Sequence, residues 1–249
     1  MDQGLVGARL KLKRANQHVA DIEARISALP KSYTSSIEVD PKTGGQFIKH
    51  DLANHPDVTA DLALIIGDAI HNLRCALDHA WIGTLERLAP GIIGKFTKFP
   101  VYQTREDLER ALRNGRVDTS VPRVFALVIS QIQPYKEGNY DIWTMHQLDI
   151  RDKHRLLIPV VNFTSITGIE VEDEHGDTVR NGETWGTTQR APFYVQIPRG
   201  WQVKEKGKVA VEVVFDEGTP ADSLEILDTL LHFSRVVLQV IESLESGVG

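Results

Sequence analysis

The fold is decided by one stretch, LALIIGDAIHNLRCALDHAWIGTL, at residues 62–85. Its apolar residues recur at steps of three and four, the spacing of a helix that buries one face. They cover a wide arc, so the stretch predicts a deeply buried helix that begins at Asp57 or Thr59 and ends before Pro90. The residues of this arc are Leu62, Ile65, Ile66, Ala69, Ile70, Leu73, Ala76, Leu77, Ala80, Trp81 and Leu85.

Apolar stripes near both ends of the chain predict two further long helices. The first stripe repeats every seven residues and ends at Pro30, which favours a nearly straight antiparallel seam against another long helix. The second follows Thr219 and Pro220, a pair typical of a helix start, and extends almost to the C-terminus. The stripes are Leu5, Ala8, Leu12, Ala15, Val19, Ile22, Ile26 and Leu29, and Leu224, Leu227, Leu230, Leu231, Val237, Leu238, Ile241 and Leu244.

The rest of the chain predicts shorter elements. Residues 31–57 indicate a loop or a small hairpin, and short helices are expected at 105–114, 121–132 and about 139–155. From 156 to 216 the pattern changes to β-rich pieces at 158–163, 166–172, 193–197 and 209–215, with turn signals at 175–177 and 181–182.

These elements predict an α+β fold, mainly a helical bundle with one inserted small antiparallel β-sheet. The bundle would comprise residues 1–155 and 217–249, and the β-rich subdomain residues 156–216. A chain of 249 residues with 41% hydrophobic and 25% charged residues has the composition of an ordinary globular protein. One large domain, or one domain carrying an insertion, is therefore favoured over two independent units.

Charge and cysteine content limit the function classes. The net charge of −6 argues against broad adhesion to nucleic acid or acidic membranes, although a local basic pocket stays possible. Cys75 is the only cysteine, which excludes intrachain disulfides and multi-cysteine zinc sites. With no secretory leader and no apolar run near about 18 residues, we expect a cytoplasmic protein with no membrane partner. Phosphate-binding loops and a hydrolase elbow have no matching motif.

The polar face of the helix at residues 62–85 is unusual. At 100° intervals, His71, Arg74, Cys75 and Asp78 share a narrow sector, and no Lys or Glu occurs between positions 61 and 86. Short or planar groups replace those flexible ions, which suggests a face built to be held in place. Two structural alternatives stay open: an exposed ion pair between Arg74 and Asp78, or a buried network that sets helix register.

A second polar signal is Asp152. If its helix continues to residue 156, the carboxylate points toward the core and needs a partner, which Arg74 or His79 could supply. The alternative is a local contact with Lys153 or Arg155 after the helix frays.

Residues 74–79, RCALDH, fit an Arg-x4-His pattern, and this resembles the motif of HEPN ribonucleases. The wider blocks, HNLR followed by ALDH from residue 71 and DKHR from residue 152, also resemble blocks shared within a group of bacterial proteins. The resemblance implies a helical bundle that often dimerises across its active site, with RNA as partner and no cofactor or metal.

In that resemblance, His79 would act as general base or acid on the ribose 2'-hydroxyl, and Arg74 would stabilise charge on the scissile phosphate. Asp78, His71 and Asp152 would support this pair. Residues five apart on a helix diverge by about 140°, so one copy cannot converge both groups on one atom, and the mechanism predicts a homodimer.

Two other functions compete with RNA cleavage. His71, Cys75 and His79 form an i, i+4, i+8 row in which neighbours could share a metal, with further ligands from Asp149, Asp152 or His154. Alternatively, the chain is a noncatalytic interaction protein whose polar cluster is structural.

Overall fold

Two long antiparallel helices form the centre of the protein. The computed structural model describes residues 3–29, 33–52, 55–95, 98–157, 159–180, 189–190 and 192–247. Helix α1 (Gln3–Ala28) packs along α2 (His55–Leu88), and contacts at Gly4–Gly83 and Arg25–Asp61 define the antiparallel direction. A Cβ on Gly4 would lie 2.3 Å from the Cα of Gly83, so this pair of glycines permits close approach of the two backbones.

The apolar arc predicted on the central helix is confirmed. All of its residues are buried except Ile65, which is half-buried and packs against the core. Helix α7 (Ile226–Ser246) packs on both α1 and α2 and completes the group of long helices. Mixed α+β structure is therefore correct, with 55% of residues helical and 23% in strands.

The other helices in the described part of the chain are shorter. They are α3 (Arg105–Asn114), α4 (Val117–Ser120), α5 (Pro122–Leu127) and α6 (Tyr140–Asp152), with a 3₁₀ segment at Pro90–Lys95 and a π-helical turn at Val128–Ile132. The helix expected at 121–132 is thus divided, and α6 ends at Asp152 rather than near residue 155. The side chain of Asn139 caps α6 by accepting from the backbone N–H of Ile142 at 3.1 Å.

The strands form two antiparallel sheets, which corrects the expectation of a single sheet. One contains β1 (Tyr33–Val39), β2 (Gln46–Leu52) and β6 (Phe193–Ile197). In the other, β3 (Pro159–Glu172) pairs with β4 (Thr178–Arg180), β5 (Gln189–Arg190) and β7 (Gln202–Phe215).

The first sheet joins distant parts of the sequence. Residues 33–52 form a hairpin, and β6, which the pattern assigns to the inserted sheet, pairs with β2 from this hairpin. Strand periodicity marks which residues are extended but not which strand lies beside them, so this pairing was not predictable. The turn expected at Asn181-Gly182 lies outside the described residues, and the proposed 156–216 boundaries stay a prediction.

The start of the last helix also needs correction. Thr219 and Pro220 do not begin it; the hydroxyl of Thr219 donates to the carbonyl of Asp216 in a turn. Ser223 then adopts a positive φ of 61°, which interrupts any helix from 219 onward. The N-cap is Glu225, whose carboxylate accepts from the backbone N–H of Asp228. Among the described residues, no helix has both the length and the apolar character needed to cross a bilayer.

Candidate functional site

The polar residues of α2 lie between two neighbouring helices. On one side α6 contacts Arg74 and His71, and on the other side α1 contacts His79 and Asn72. This arrangement follows from helix geometry, since side chains on opposite flanks of one polar face must turn toward different neighbours.

Arg74 is the centre of a buried network. Its Nη1 donates to Asp78 Oδ1 at 2.8 Å, its Nη2 to the carbonyl of Phe99 at 2.7 Å, and its Nε to Nδ1 of His146 at 3.2 Å. Asp78 Oδ1 also accepts from the backbone N–H of Phe99 at 2.7 Å. Only 5% of the Arg74 side chain is exposed. All three guanidinium nitrogens are therefore used within the chain, and the network ties α2 to both α6 and the segment before α3.

His146 completes this network and was not singled out by the sequence reasoning. It is half-buried, and burial together with the charge of Arg74 lowers the pKa of His146 to about 4. Because Nδ1 accepts a hydrogen bond from Arg74, this nitrogen carries no proton and the imidazole is neutral. The sequence shows only that His146 belongs to a helix predicted to pack against the central helix. That position does not indicate which residue of the helix contacts Arg74.

A second network on the same helix faces solvent. His71 Nδ1 lies 3.0 Å from Asp149 Oδ1 on α6, and the other oxygen of Asp149 accepts from Lys153. Asp149 is only 4% exposed, whereas the His71 side chain is 52% exposed. A buried carboxylate therefore holds one nitrogen of an imidazole whose other edge remains accessible.

The second nitrogen of His71 contacts the only cysteine. Cys75 Sγ lies 3.4 Å from His71 Nε2, one helical turn away. Burial raises the pKa of the Cys75 thiol more than nearby Lys11 lowers it. Lys11, on α1, donates to Asn72 at 3.4 Å and flanks this site on the side opposite α6. The cysteine accordingly carries a neutral thiol beside the imidazole.

His79 is separated from Arg74, as its position five residues along the helix predicts. It is exposed, and a Cβ on Gly7 of α1 would lie 2.8 Å from its Nδ1. Arg74 turns toward α6 while His79 turns toward α1. Within one subunit the two residues of the Arg-x4-His motif do not meet.

Asp152 does not take the partner expected for it. It lies against Gly67, where an added Cβ would be 2.4 Å from its Oδ2, and it accepts from the backbone N–H of Leu157. Its Oδ1 is buried with no hydrogen-bond partner among the described residues, and burial raises its pKa. The expected pairing with Arg74 or His79 is therefore wrong. The helices meet as predicted, but Asp149, one turn earlier, contacts the polar face of α2.

The described residues contain no group of three or more His, Cys, Asp or Glu side chains arranged to hold a metal ion. Of the row considered for metal binding, His71 and Cys75 are adjacent, while His79 faces α1. His154 lies beyond the end of α6 and is exposed.

A scan of family models and searches among curated proteins and solved structures find no match to the chain. The chemistry of the site is therefore inferred from its own geometry.

Proposed function

We propose that this protein is a metal-independent RNA-cleaving enzyme in which His71, rather than the Arg74–His79 pair, transfers the proton. The observation that carries the proposal is the contact between His71 Nδ1 and the buried Asp149. A base held by a third group is the arrangement that general-base catalysis needs, because it fixes both the tautomer and the direction of the free nitrogen.

The proposed step is an internal transfer on the ribose. His71 Nε2 accepts the proton of the 2'-hydroxyl, the 2'-oxygen attacks phosphorus, and the bond to the 5'-oxygen breaks, leaving a 2',3'-cyclic phosphate and a 5'-hydroxyl end. The thiol of Cys75, at 3.4 Å from Nε2, stands where the substrate hydroxyl would donate. Lys153 pairs with Asp149, and Lys11 donates to Asn72, the residue next to His71; both ammonium groups would offset charge on the phosphate.

RNA as substrate is supported by the resemblance of residues 74–79 to the HEPN motif. The proposed roles of these residues differ from those that the resemblance implies. Arg74 becomes a positioning residue, because its donors are occupied by Asp78, Phe99 and His146. The 5'-oxygen that leaves needs a proton donor, and a second copy placed across this face could supply one. The proposal therefore includes a homodimer. It also keeps the expectation of a cytoplasmic protein.

A noncatalytic interaction protein is the second candidate. It is favoured by the saturation of Arg74, since a buried guanidinium with three partners stabilises the fold and is not free to bind a ligand. In that case the His71 contact would fix only the register of α2 against α6.

The test is cleavage of a fluorescently labelled RNA in the presence of chelator. We expect wild-type cleavage to produce cyclic phosphate ends, and His71→Gln to lower the rate at least about 100-fold. Asp149→Asn should lower it by about tenfold or more, with circular dichroism used to check folding. His175→Gln is the matched control, because His175 is an exposed histidine beside a carboxylate, Asp173.

Unchanged cleavage in His71→Gln would contradict the role of His71. Cleavage abolished by chelator would contradict a metal-independent mechanism. Absence of cleavage by the wild-type chain on structured and single-stranded RNA would leave the interaction protein as the better account.

A further inference from the structure

Helix α1 carries a basic patch beside the candidate site, formed by Lys11, Lys13 and Arg14. The surrounding residues 9–14 have the sequence RLKLKR and include no acidic residue, in a chain with a net charge of −6. Lys11 connects this α1 basic patch to the site, because its Nζ donates to Asn72 of α2 at 3.4 Å, next to the imidazole. The patch therefore places positive charge on the α1 side of the site.

The cations of the α1 basic patch have no carboxylate partner in the described part of the chain. Lys11 and Arg14 each donate to the amide oxygen of a neutral side chain, at 3.4 Å in both contacts. Lys13 is exposed and pairs with no described carboxylate. Arg9 lies outside the patch, because its guanidinium is paired with Glu245 at 2.6 Å. The positive charge of the patch is thus not compensated within the described residues.

Helix α3 is basic as well, but its arginines are paired within the helix. Arg105 and Arg113 both pair with Glu109, and Arg110 pairs with Asp107. Such pairs are typical of a solvated helix face. On α1, in contrast, like charges three residues apart are neighbours with no carboxylate between them, which disfavours the helix. Uncompensated charges that lower helix stability point to an anion outside the chain.

An apolar side chain lies within the α1 basic patch. Leu10 is 61% exposed, more than any other large apolar residue in the described part of the protein. It precedes Lys13 by three positions and Arg14 by four, so the three side chains share one surface of α1. The other large apolar residues of α1 are buried or half-buried. One leucine offers too little apolar surface for a helix to lie in a bilayer, but it can cover the face of one nucleobase.

We infer that the α1 basic patch binds the phosphates of single-stranded RNA next to the bond cleaved at His71. This role rests on the proposed function and names its substrate, which is a strand of several nucleotides rather than a dinucleotide. Lys and Arg side chains contact phosphates whatever the base sequence. In a single strand an unstacked base can reach Leu10, whereas a duplex keeps its bases stacked inside.

Binding is measured apart from cleavage with a fluorescein-labelled 2'-O-methyl strand of about ten nucleotides, in which no 2'-hydroxyl is free to react. Fluorescence anisotropy should give a slope of log K against log salt concentration of about −2, the value for three phosphate contacts with a single strand. The duplex of the same strand should bind at least about threefold more weakly. Phosphatidylserine vesicles should not sediment the protein.

Variants test the patch without changing the residues assigned to cleavage. Lys13→Gln combined with Arg14→Gln removes two charges, so the affinity at about 50 mM salt should fall about tenfold and the slope should shrink to about −0.7. The melting temperature should stay the same or rise, because like-charge neighbours are removed. The matched control combines Lys42→Gln and Lys208→Gln, exposed lysines of the β1–β2 turn and of β7, and should bind like wild type.

Cleavage assays separate this role from the proposed function. In the variant with Lys13→Gln and Arg14→Gln, KM for a strand of about ten nucleotides should rise about tenfold, while kcat stays within about twofold of wild type. Cleavage of a dinucleotide should not respond to these substitutions. His71→Gln should bind the 2'-O-methyl strand like wild type. Binding through the patch by a wild-type chain that cleaves no RNA would support the patch and contradict the proposed function.

Wild-type affinity in the variant with Lys13→Gln and Arg14→Gln would overturn the inference. So would a salt slope near zero, tighter binding of the duplex, or sedimentation with the vesicles. An equal loss of affinity in the variant with Lys42→Gln and Lys208→Gln would also overturn it, because the effect would then follow the net charge rather than the patch.

Discussion

Two polar networks lie one helical turn apart on α2, and they differ in how much of their polar side chains remains exposed to solvent. The Arg74 network is buried, and the three guanidinium nitrogens are satisfied by the carboxylate of Asp78, the carbonyl of Phe99 and the ring of His146. The His71 network has a buried anchor, Asp149, but an exposed imidazole edge that contacts only a thiol. A motif residue can therefore be structural while its neighbour carries the accessible chemistry.

The largest expected effect is loss of the buried network. Arg74→Ala would leave Asp78 and the Phe99 carbonyl without their cation, so we expect the free energy of unfolding to fall by about 3–5 kcal/mol. Urea denaturation measures this change. Arg9→Ala is the matched control, because it removes an exposed pair with Glu245 and should cost under about 1 kcal/mol. A similar cost for both variants would remove the distinction between the two networks.

A smaller effect concerns pH. The pKa of His146 is lowered to about 4 in the folded chain, against about 6.5 when unfolded, so between these values the unfolded state binds more protons. The free energy of unfolding should therefore fall as the pH drops from about 6.5 toward about 4. His50, buried and with its pKa also lowered to about 4, acts in the same direction. Asp152, with a raised pKa, acts in the opposite direction.

The contribution of His146 can be isolated with His146→Gln, since a glutamine oxygen can accept from Arg74 without titrating. Urea midpoints at pH about 7 and about 5 should differ less in this variant than in wild type. The exposed His175→Gln should keep the wild-type difference. An unchanged difference in His146→Gln would show that the buried network does not respond to pH in this way.

The smallest expected effect is at the thiol. Cys75→Ala removes a half-buried side chain that contacts His71, so the free energy of unfolding should change by less than about 1 kcal/mol. If His71 acts directly on RNA, the cleavage rate should stay within about twofold of wild type. Loss of cleavage in Cys75→Ala would make the thiol the reacting group instead.

The long helices were predictable because burial follows the sequence period. The stripe on α1 and the arc on α2 are buried except for Leu5, Ile26 and Ile65, which are half-buried and pack against the core, since a helix places residues three and four apart on one face. The stripe predicted near the C-terminus is only partly correct, because Leu224 lies before α7 and both Leu224 and Leu231 are exposed. The start of α7 was missed because Thr219 and Pro220 favour a helix locally, whereas a turn and a bridge between Val214 and Glu225 shift its start to Ile226. A local preference worth about 1 kcal/mol yields to tertiary contacts.

The site residues that lie together on α2 were predictable from the sequence, but their contacts with residues of α6 were not. The pattern identified His71, Arg74, Cys75 and Asp78 as a group, and the structure joins them as two adjacent pairs. The partner on α6 was assigned to Asp152, because the axial offset between two helices cannot be read from either sequence. In the structure α6 lies about one turn from the expected position along α2. Asp149 therefore contacts His71 in place of Asp152, and His146 contacts Arg74.

The amino-acid sequence by itself determined which faces are apolar, which face of α2 lacks flexible ions, and that Arg74 and His79 must point apart, because these follow from bonding geometry within one element. Only the tertiary structure decided that β6 lies beside β2, that Arg74 is enclosed and that His71 stays open. Those outcomes depend on how far one element slides along another, a quantity set by side-chain packing between segments distant in the chain.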